Sequence, residues 1–352
     1  YQKPFGAGFS LDRFDFLRSK RADEFGPGEQ EKAEAASWFR PSDVTVGADG
    51  AIYVADWYDA RVGGHRMSDK TGAGTIYRIA PKGSKLTNPK LNLATIAGQI
   101  AALKSPANNV RNSGFTRLKA AGPKAVPAVS KLLADQNPYI QARAVFLLAQ
   151  MGNAGIAEVE TILSKSASPQ LRIAAFRALR FVEHRLLQHA ALLAKDPSSA
   201  VRREVALALR DLPLSKTRDI IIELAKGYDG ADRWYLEALG AACVGNEAAM
   251  YKVLLPILGG ADSTKWDARF TGIAWRLHSP AAVGAFRNRA LSKRMSLKER
   301  KDAMTAIAFA PTKAAAIAMT KIAETGADDI RTIAAFWLYN RSSHMWRDHI
   351  SV

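Results

Sequence analysis

The 352-residue chain has a single cysteine, Cys243, so it has no internal disulfide, no thiolate zinc site and no C-x-x-C-H attachment for a covalent haem. It has no apolar run near the roughly 18–20 residues a helix needs to cross a bilayer. Acidic residues are also scarce, with 33 Asp and Glu against 50 Lys and Arg, a formal net charge of +17. With 48% hydrophobic and 24% charged residues, the composition excludes intrinsic disorder, collagen and low-complexity fibre. At roughly 100–200 residues per domain, the length predicts two or three domains.

The charge is unevenly spread. Residues 1–88 carry 13 basic and 12 acidic side chains, leaving 37 and 21 for the remainder, so almost the whole excess, +16, lies in the second part. Such an excess attracts polyanions, acidic proteins or a lipid surface and says nothing about fold. The chain opens at Tyr1 with no basic-then-apolar leader, and the expectation is a fragment or processed product.

Residues 38–80 read as three short strands: Ser42 to Val46, Ala51 to Ala55 and Thr75 to Ile79. Asp49-Gly50 between the first two is a hairpin signal, because glycine accepts the positive φ such turns require. Strand, Asp-Gly turn, strand, loop, strand is the pattern of one antiparallel blade of a β-propeller. A lone blade has two bare edges, so further blades are expected upstream. The intervening loop, Asp56 to Arg66, gathers Asp56, Asp59, Arg61 and His65 behind a strand end, with Arg40 ahead of the first strand. A polar, glycine-jointed loop at a sheet rim suits a ligand site. The same residues also suit turn caps paired with arginines.

Beyond residue 90 the pattern becomes helical and repetitive. Pro106, Pro138, Pro169 and Pro197 each follow a polar stretch and lead into an apolar–polar pair: Val110-Arg111, Ile140-Gln141, Leu171-Arg172 and Val201-Arg202. An alanine-rich amphipathic helix follows each pair, and the marks recur about every 28–32 residues, within the range of helical solenoids. Less regular units continue through DRWYLEALG, WDARFTGIAWRLH, LKERKDAMTAIAFA and DDIRTIAAFWLYNR. The fold class expected is mainly α: a HEAT-like α-solenoid over 91–352, preceded by a partial β-propeller over 1–88. Solenoids offer long surfaces and bind more often than they catalyse. Trp234, Trp266, Trp275, Trp337 and Trp346 each lie in an apolar helical pattern and read as packing residues, with a recognition groove as the other reading. His184 and His189, five apart, do not share a helical face, and no metal site is expected there. His278, at a helix end before Ser279-Pro280, is expected to meet terminal carbonyls. Cys243 reads as a buried, unreactive thiol.

The string FRPSDVTVGADGAIYVADWYDARVGGHRM, ending in GTIYRIAPKG, resembles the last propeller blade of the membrane-bound-type dehydrogenases of planctomycetes and verrucomicrobia. These are distant relatives of sorbosone and pyranose dehydrogenases that use pyrroloquinoline quinone. DGADRWYLEALG, IAWRLHSPAAV and AAFWLYNRSSHMWRD resemble segments that follow the propeller in that family. The resemblance implies an exported or periplasmic protein in which a complete propeller holds pyrroloquinoline quinone and calcium. Haem c would sit only on a separate domain. It implies cofactor-binding roles for Arg40, Asp56 and Arg61, and catalytic roles for His65 and Asp59, His65 assisting proton removal from an alcohol carbon. The partners implied are the missing propeller blades and a c-type cytochrome or other acidic protein. This chain by itself is expected to be inactive.

Two other classes compete. One is a HEAT scaffold of the cell envelope with no redox role. The other is a nucleic-acid binder, in which Trp234 and Trp266-Asp267 would line a basic face; the sheet has no place in it, and nucleic acid is not the expected partner.

Overall fold

The computed structural model describes residues 2–58 and 74–349, so Asp59, Arg61 and His65 lie outside the described residues. The chain forms two compact units: Asp12–His184, and Gln2–Leu11 together with the residues from Arg185 onward. The boundary falls inside the helical array.

In the first unit, a helix α1 (Gln30–Ser37) precedes a three-stranded antiparallel sheet of β3 (Pro41–Val46), β4 (Ile52–Asp56) and β5 (Thr75–Ile79), in that order. The register pairs Val44 with Val54 and Val54 with Tyr77. The Asp-Gly turn forms as the sequence predicts. Gly50 takes φ +84°, and the Asp49 carboxylate accepts the Ala51 amide at 3.0 Å. The other Asp49 oxygen accepts from Arg78 Nη2 at 2.7 Å, tying the turn to β5 and holding the carboxyl below its usual range. Within this sheet only β4 carries fully buried residues, Val54 and Asp56, while Val44 and Ile76 stay exposed.

Helices fill the rest of the unit: α2 (Ile96–Lys104), α3 (Asn108–Ala121), α4 (Val126–Ser130), α5 (Pro138–Leu148), α6 (Gly152–Lys165) and α7 (Pro169–Phe181). The array continues in the second unit with α8 (Leu186–Leu193), α9 (Ser199–Leu209), α10 (Leu214–Lys226), α11 (Arg233–Ala242), α12 (Glu247–Leu254) and α13 (Ala268–Leu277). It ends with α14 (Val283–Leu291), α15 (Leu297–Ala308), α16 (Lys313–Thr325) and α17 (Asp328–Ser342). Helices alternate between two layers. In the first unit α5 packs on α7; within the second, α9 packs on α11, α11 on α13 and α15 on α17, while α8 packs on α10, α10 on α12 and α14 on α16. This two-layer stacking of helix pairs is a HEAT-like solenoid. Small residues permit the approach: a Cβ on Gly114 of α3 would lie 2.6 Å from the Leu103 amide nitrogen of α2.

The repeat marks have a mechanical explanation. Pro138 and Pro169 occupy the first helical position, where no amide donor is needed. Pro106 and Pro197 instead stand one residue before the N-cap. Of the pairs that follow, Ile140 and Val201 are buried, and the polar member of each pair reaches back to the carbonyls of the preceding loop. Arg172 Nη1 donates to Ser166 O at 2.7 Å and Ala167 O at 3.2 Å. Arg202 Nη1 does the same to Asp196 O at 2.6 Å and Pro197 O at 3.1 Å. Gln141 Nε2 meets Asp135 O at 2.7 Å, and Arg111 Nη1 meets Pro106 O at 3.2 Å. Part of the basic excess therefore braces inter-helix loops.

A hairpin that the sequence does not signal precedes all of this: β1 (Gln2–Phe5) pairs antiparallel with β2 (Gly8–Leu11). It belongs to the second unit. Ala7 N–H donates to Asp232 at 2.5 Å, Arg203 Nη1 donates to Ala7 O, and the Arg203 guanidinium lies 5.8 Å from the Phe9 ring centre. Gly8 is required there, because a Cβ would fall 2.1 Å from Trp234 Cδ1.

Candidate functional site

At the sheet rim, Arg40 and Asp56 come together through the Arg40 backbone. Asp56 is buried at the end of β4, and its Oδ1 accepts the amides of Arg40 at 2.8 Å and Tyr58 at 3.0 Å. One carboxylate thus joins the entry of β3 to the exit of β4. The Arg40 side chain turns the other way: Nη1 donates to Ser37 O and to Phe39 O, the latter at 3.1 Å, which places the cation on carbonyls at the end of α1. A pocket of about 230 Å³ opens beside Asp56, walled by Phe39, Tyr58 and Tyr77. Burial, and then the Asp56 charge, push the Tyr77 phenol above its ordinary range.

The tryptophans divide. Trp346 and Trp266 are core residues, their indole N–H groups donating to Ala310 O at 2.9 Å and Gly260 O at 3.1 Å. Asp267 caps α13 by accepting the Phe270 amide at 2.9 Å, so Trp266 and Asp267 both have a role in the fold. Trp275 and Trp337 lie beneath Arg233 and Arg341 at 5.2 Å and 5.0 Å, and Trp234 is 58% exposed. Trp266 and Trp346 are thus buried, Trp275 and Trp337 are half-buried, with Trp337 packed on Phe309 and Phe336, and Trp234 lies against the hairpin at Gly8.

Cys243 is fully buried, and burial pushes its thiol up to about 12. At His278 it is the backbone amide that meets a terminal carbonyl, Trp275 O at 3.2 Å, while the ring packs on Trp275 and its Nδ1 is buried with no hydrogen-bond partner among the described residues. Burial, and then Arg276, hold that imidazole below its ordinary range. His184 pairs with Glu160 at 2.9 Å, and His189 is a buried residue of α8.

Two larger clefts lie on the helices. One, of about 470 Å³, is bounded by α11, α13, α14 and α15 and contains Arg233, Lys298, Glu299 and Asp302. Its charges are compensated: Lys298 pairs with Asp302 and Arg233 with Glu237, both at 2.6 Å. The other, of about 590 Å³, lies between α2, α3 and α5 and is lined by Arg111, Arg143, Asn112, Phe115, Tyr139 and Phe146. Its lining includes two guanidinium groups and no carboxylate. Arg143 Nη1 donates to Leu103 O at 3.1 Å and Ser105 O at 3.2 Å, which fixes it across the end of α2. Burial, and then the like charge of Arg111, hold its pKa below the usual arginine value. Tyr139, the second residue of α5, stands 74% exposed at the mouth. Of these residues the sequence marks only Arg111, as a repeat position. The rest could be found only by knowing which helices are neighbours.

The described residues define a helical-repeat protein carrying a short antiparallel sheet. No family model matches the chain, and no curated protein matches it. Among solved structures it is similar to the Escherichia coli protein YibA at 15% identity, over 69% of this chain and 92% of that one, with a TM-score of 0.37. It is also similar to human deoxyhypusine hydroxylase in complex with glycerol, at 16% identity, over 71% and 96%, with a TM-score of 0.29. An engineered protein matches at 17% identity, over 70% and 78%, with a TM-score of 0.33.

Proposed function

We propose that the chain is a partner-docking scaffold whose helical array binds an acidic protein. The observation that carries this reading is the uncompensated cationic cleft between α2, α3 and α5, in a portion of the chain that bears +16. Opposite charge on a partner speeds encounter and selects against basic surfaces, and salt weakens both effects. The test is stopped-flow association with an acidic c-type cytochrome across a salt series. The association rate falls steeply as salt rises, and a rate indifferent to salt overturns the proposal.

The finer form of the proposal is that this scaffold belongs to an exported quinone-dependent sugar or alcohol dehydrogenase-like protein, supported by the blade-like sequence from Phe39 to Gly83. Pyrroloquinoline quinone and calcium would be held by a complete propeller. Of the five residues the resemblance gives to that site, only Arg40 and Asp56 are among the described residues. Arg40 Nη1 and Asp56 Oδ1 are engaged with backbone groups, and a pocket of about 230 Å³ lies below the roughly 300 Å³ at which ligand sites begin. No catalytic step is therefore derived from them. Quinone- and calcium-dependent alcohol oxidation by a protein joining this chain to upstream blades tests the finer form, and its absence in that protein removes it.

A further inference from the structure

We propose that the cleft between α2, α3 and α5 captures an acidic linear segment in which an apolar or aromatic side chain neighbours a carboxylate. This deepens the scaffold reading and rests on it.

Four observations define the ligand. First, Arg111 and Arg143 lie close enough for the charge of one to depress the pKa of the other, and no carboxylate lines the cleft to relieve them. Two arginines held together without a counter-charge favour an anion, and a guanidinium pairs best with a planar carboxylate. Second, Arg143 is already positioned, because Nη1 is pinned to the Leu103 and Ser105 carbonyls. Little of its side-chain entropy remains to be lost on binding. Third, Phe115, Tyr139 and Phe146 form an aromatic wall, with Tyr139 74% exposed. An exposed tyrosine beside arginine, backed by the half-buried Phe115 and Phe146, has the composition of a binding hot spot. Fourth, Asn112 brings a side-chain amide to the same cleft, which can both donate to and accept from an extended peptide backbone, while Asn108 Oδ1 accepts from Arg111 Nη2.

The volume, about 590 Å³, exceeds what a lone ion needs and suits a few side chains. A nucleic acid is the poorer fit, because a phosphate backbone is bound by a run of cations and this cleft offers two. The compensated cleft at α11 to α15 serves as an internal comparison.

The test uses the full chain and fluorescence anisotropy with three labelled probes: the peptide Gly-Glu-Asp-Phe-Asp-Leu-Gly, the same peptide with lysine at its acidic positions, and a thymidine decanucleotide. The acidic peptide is expected to bind and the lysine peptide not to. Arg111→Ala and Tyr139→Ala, both altering side chains at the cleft surface, each weaken the acidic peptide about fivefold or more, whereas Arg233→Ala in the other cleft leaves it unchanged. Circular dichroism melts confirm that the variants fold. Equal binding of the lysine peptide, tighter binding of the oligonucleotide, or indifference to both Arg111→Ala and Tyr139→Ala overturns the proposal. If the acidic cytochrome still binds with its salt dependence while the peptide does not, this cleft assignment fails and the scaffold reading survives. If neither binds, both fail.

Discussion

The amide of Ala7 meets Oδ2 of Asp232 at 2.5 Å across 225 residues of sequence, while Oδ1 of the same carboxylate accepts the Tyr235 amide at 3.1 Å and caps α11. Asp232 therefore starts a solenoid helix and holds the N-terminal hairpin with its two oxygens. Asp232→Ala removes a cap worth about 1 kcal/mol and a charge-assisted bond worth about 1.5–3 kcal/mol. The expected outcome is a lower melting temperature together with faster amide exchange across Gln2–Leu11. Loss of stability with the hairpin still protected would show that Arg203 and Trp234 hold it without Asp232.

A second prediction concerns Arg202, which links three segments. Its Nη1 bonds the Asp196 and Pro197 carbonyls, its Nη2 bonds Gly227 O at 2.9 Å, and its Nε lies 3.3 Å from the Tyr235 hydroxyl. The Tyr235 hydroxyl in turn donates to Leu224 O at 2.8 Å, and the guanidinium sits 5.2 Å from the ring centre. Arg202→Ala leaves several partly buried carbonyls unpaired, at a cost of about 2–4 kcal/mol. Arg202→Lys is expected to recover less than half of that, since one ammonium cannot span both loops. Denaturant midpoints of the three proteins measure it, and full rescue by lysine would mean that charge alone matters.

How far the fold could be read from sequence follows from how local its causes are. Thr75–Ile79 forms the predicted strand, and Pro138 and Pro169 start helices, because β-branched runs and proline act within a few residues. The hairpin at Gln2–Leu11 was unreadable, since it contains Pro4, Gly6 and Gly8 and draws its support from Arg203, Asp232 and Trp234. The cleft was equally hidden. Arg111 and Arg143 are 32 residues apart, and only the stacking of α3 beside α5 makes them neighbours. Helical periodicity showed that Trp234, Trp275 and Trp337 lie in helices, but not that Trp234 meets the hairpin at Gly8 or that Trp275 and Trp337 lie half-buried under Arg233 and Arg341.

The third prediction separates architecture from ligand binding at Asp56. If its carboxylate is there to pair the Arg40 and Tyr58 amides, Asp56→Ala orphans two backbone donors and destabilises the first unit by about 2–4 kcal/mol. Asp56→Asn keeps an oxygen and costs less. Hydrogen exchange at Arg40 and Tyr58 reads the effect directly. An Asp56→Ala protein with unchanged exchange at both amides would instead leave the carboxylate free for a ligand.

The last prediction concerns the lone thiol. With Cys243 fully buried and its pKa pushed from 9.0 to about 12, the folded protein holds the proton more tightly than the unfolded chain does. The folded state therefore binds more protons between those two values, and the group's contribution to stability is complete below pH 9 and is lost as pH rises toward 12. Because the thiolate is the nucleophile, iodoacetamide at pH 8 should leave native Cys243 unmodified for hours while alkylating the denatured chain within minutes. Intact mass measured over time checks this, and Cys243→Ala should flatten the alkaline limb of the stability profile. Rapid alkylation of the native protein would mean that α11 opens locally, and hydrogen exchange along Arg233–Ala242 would then show it.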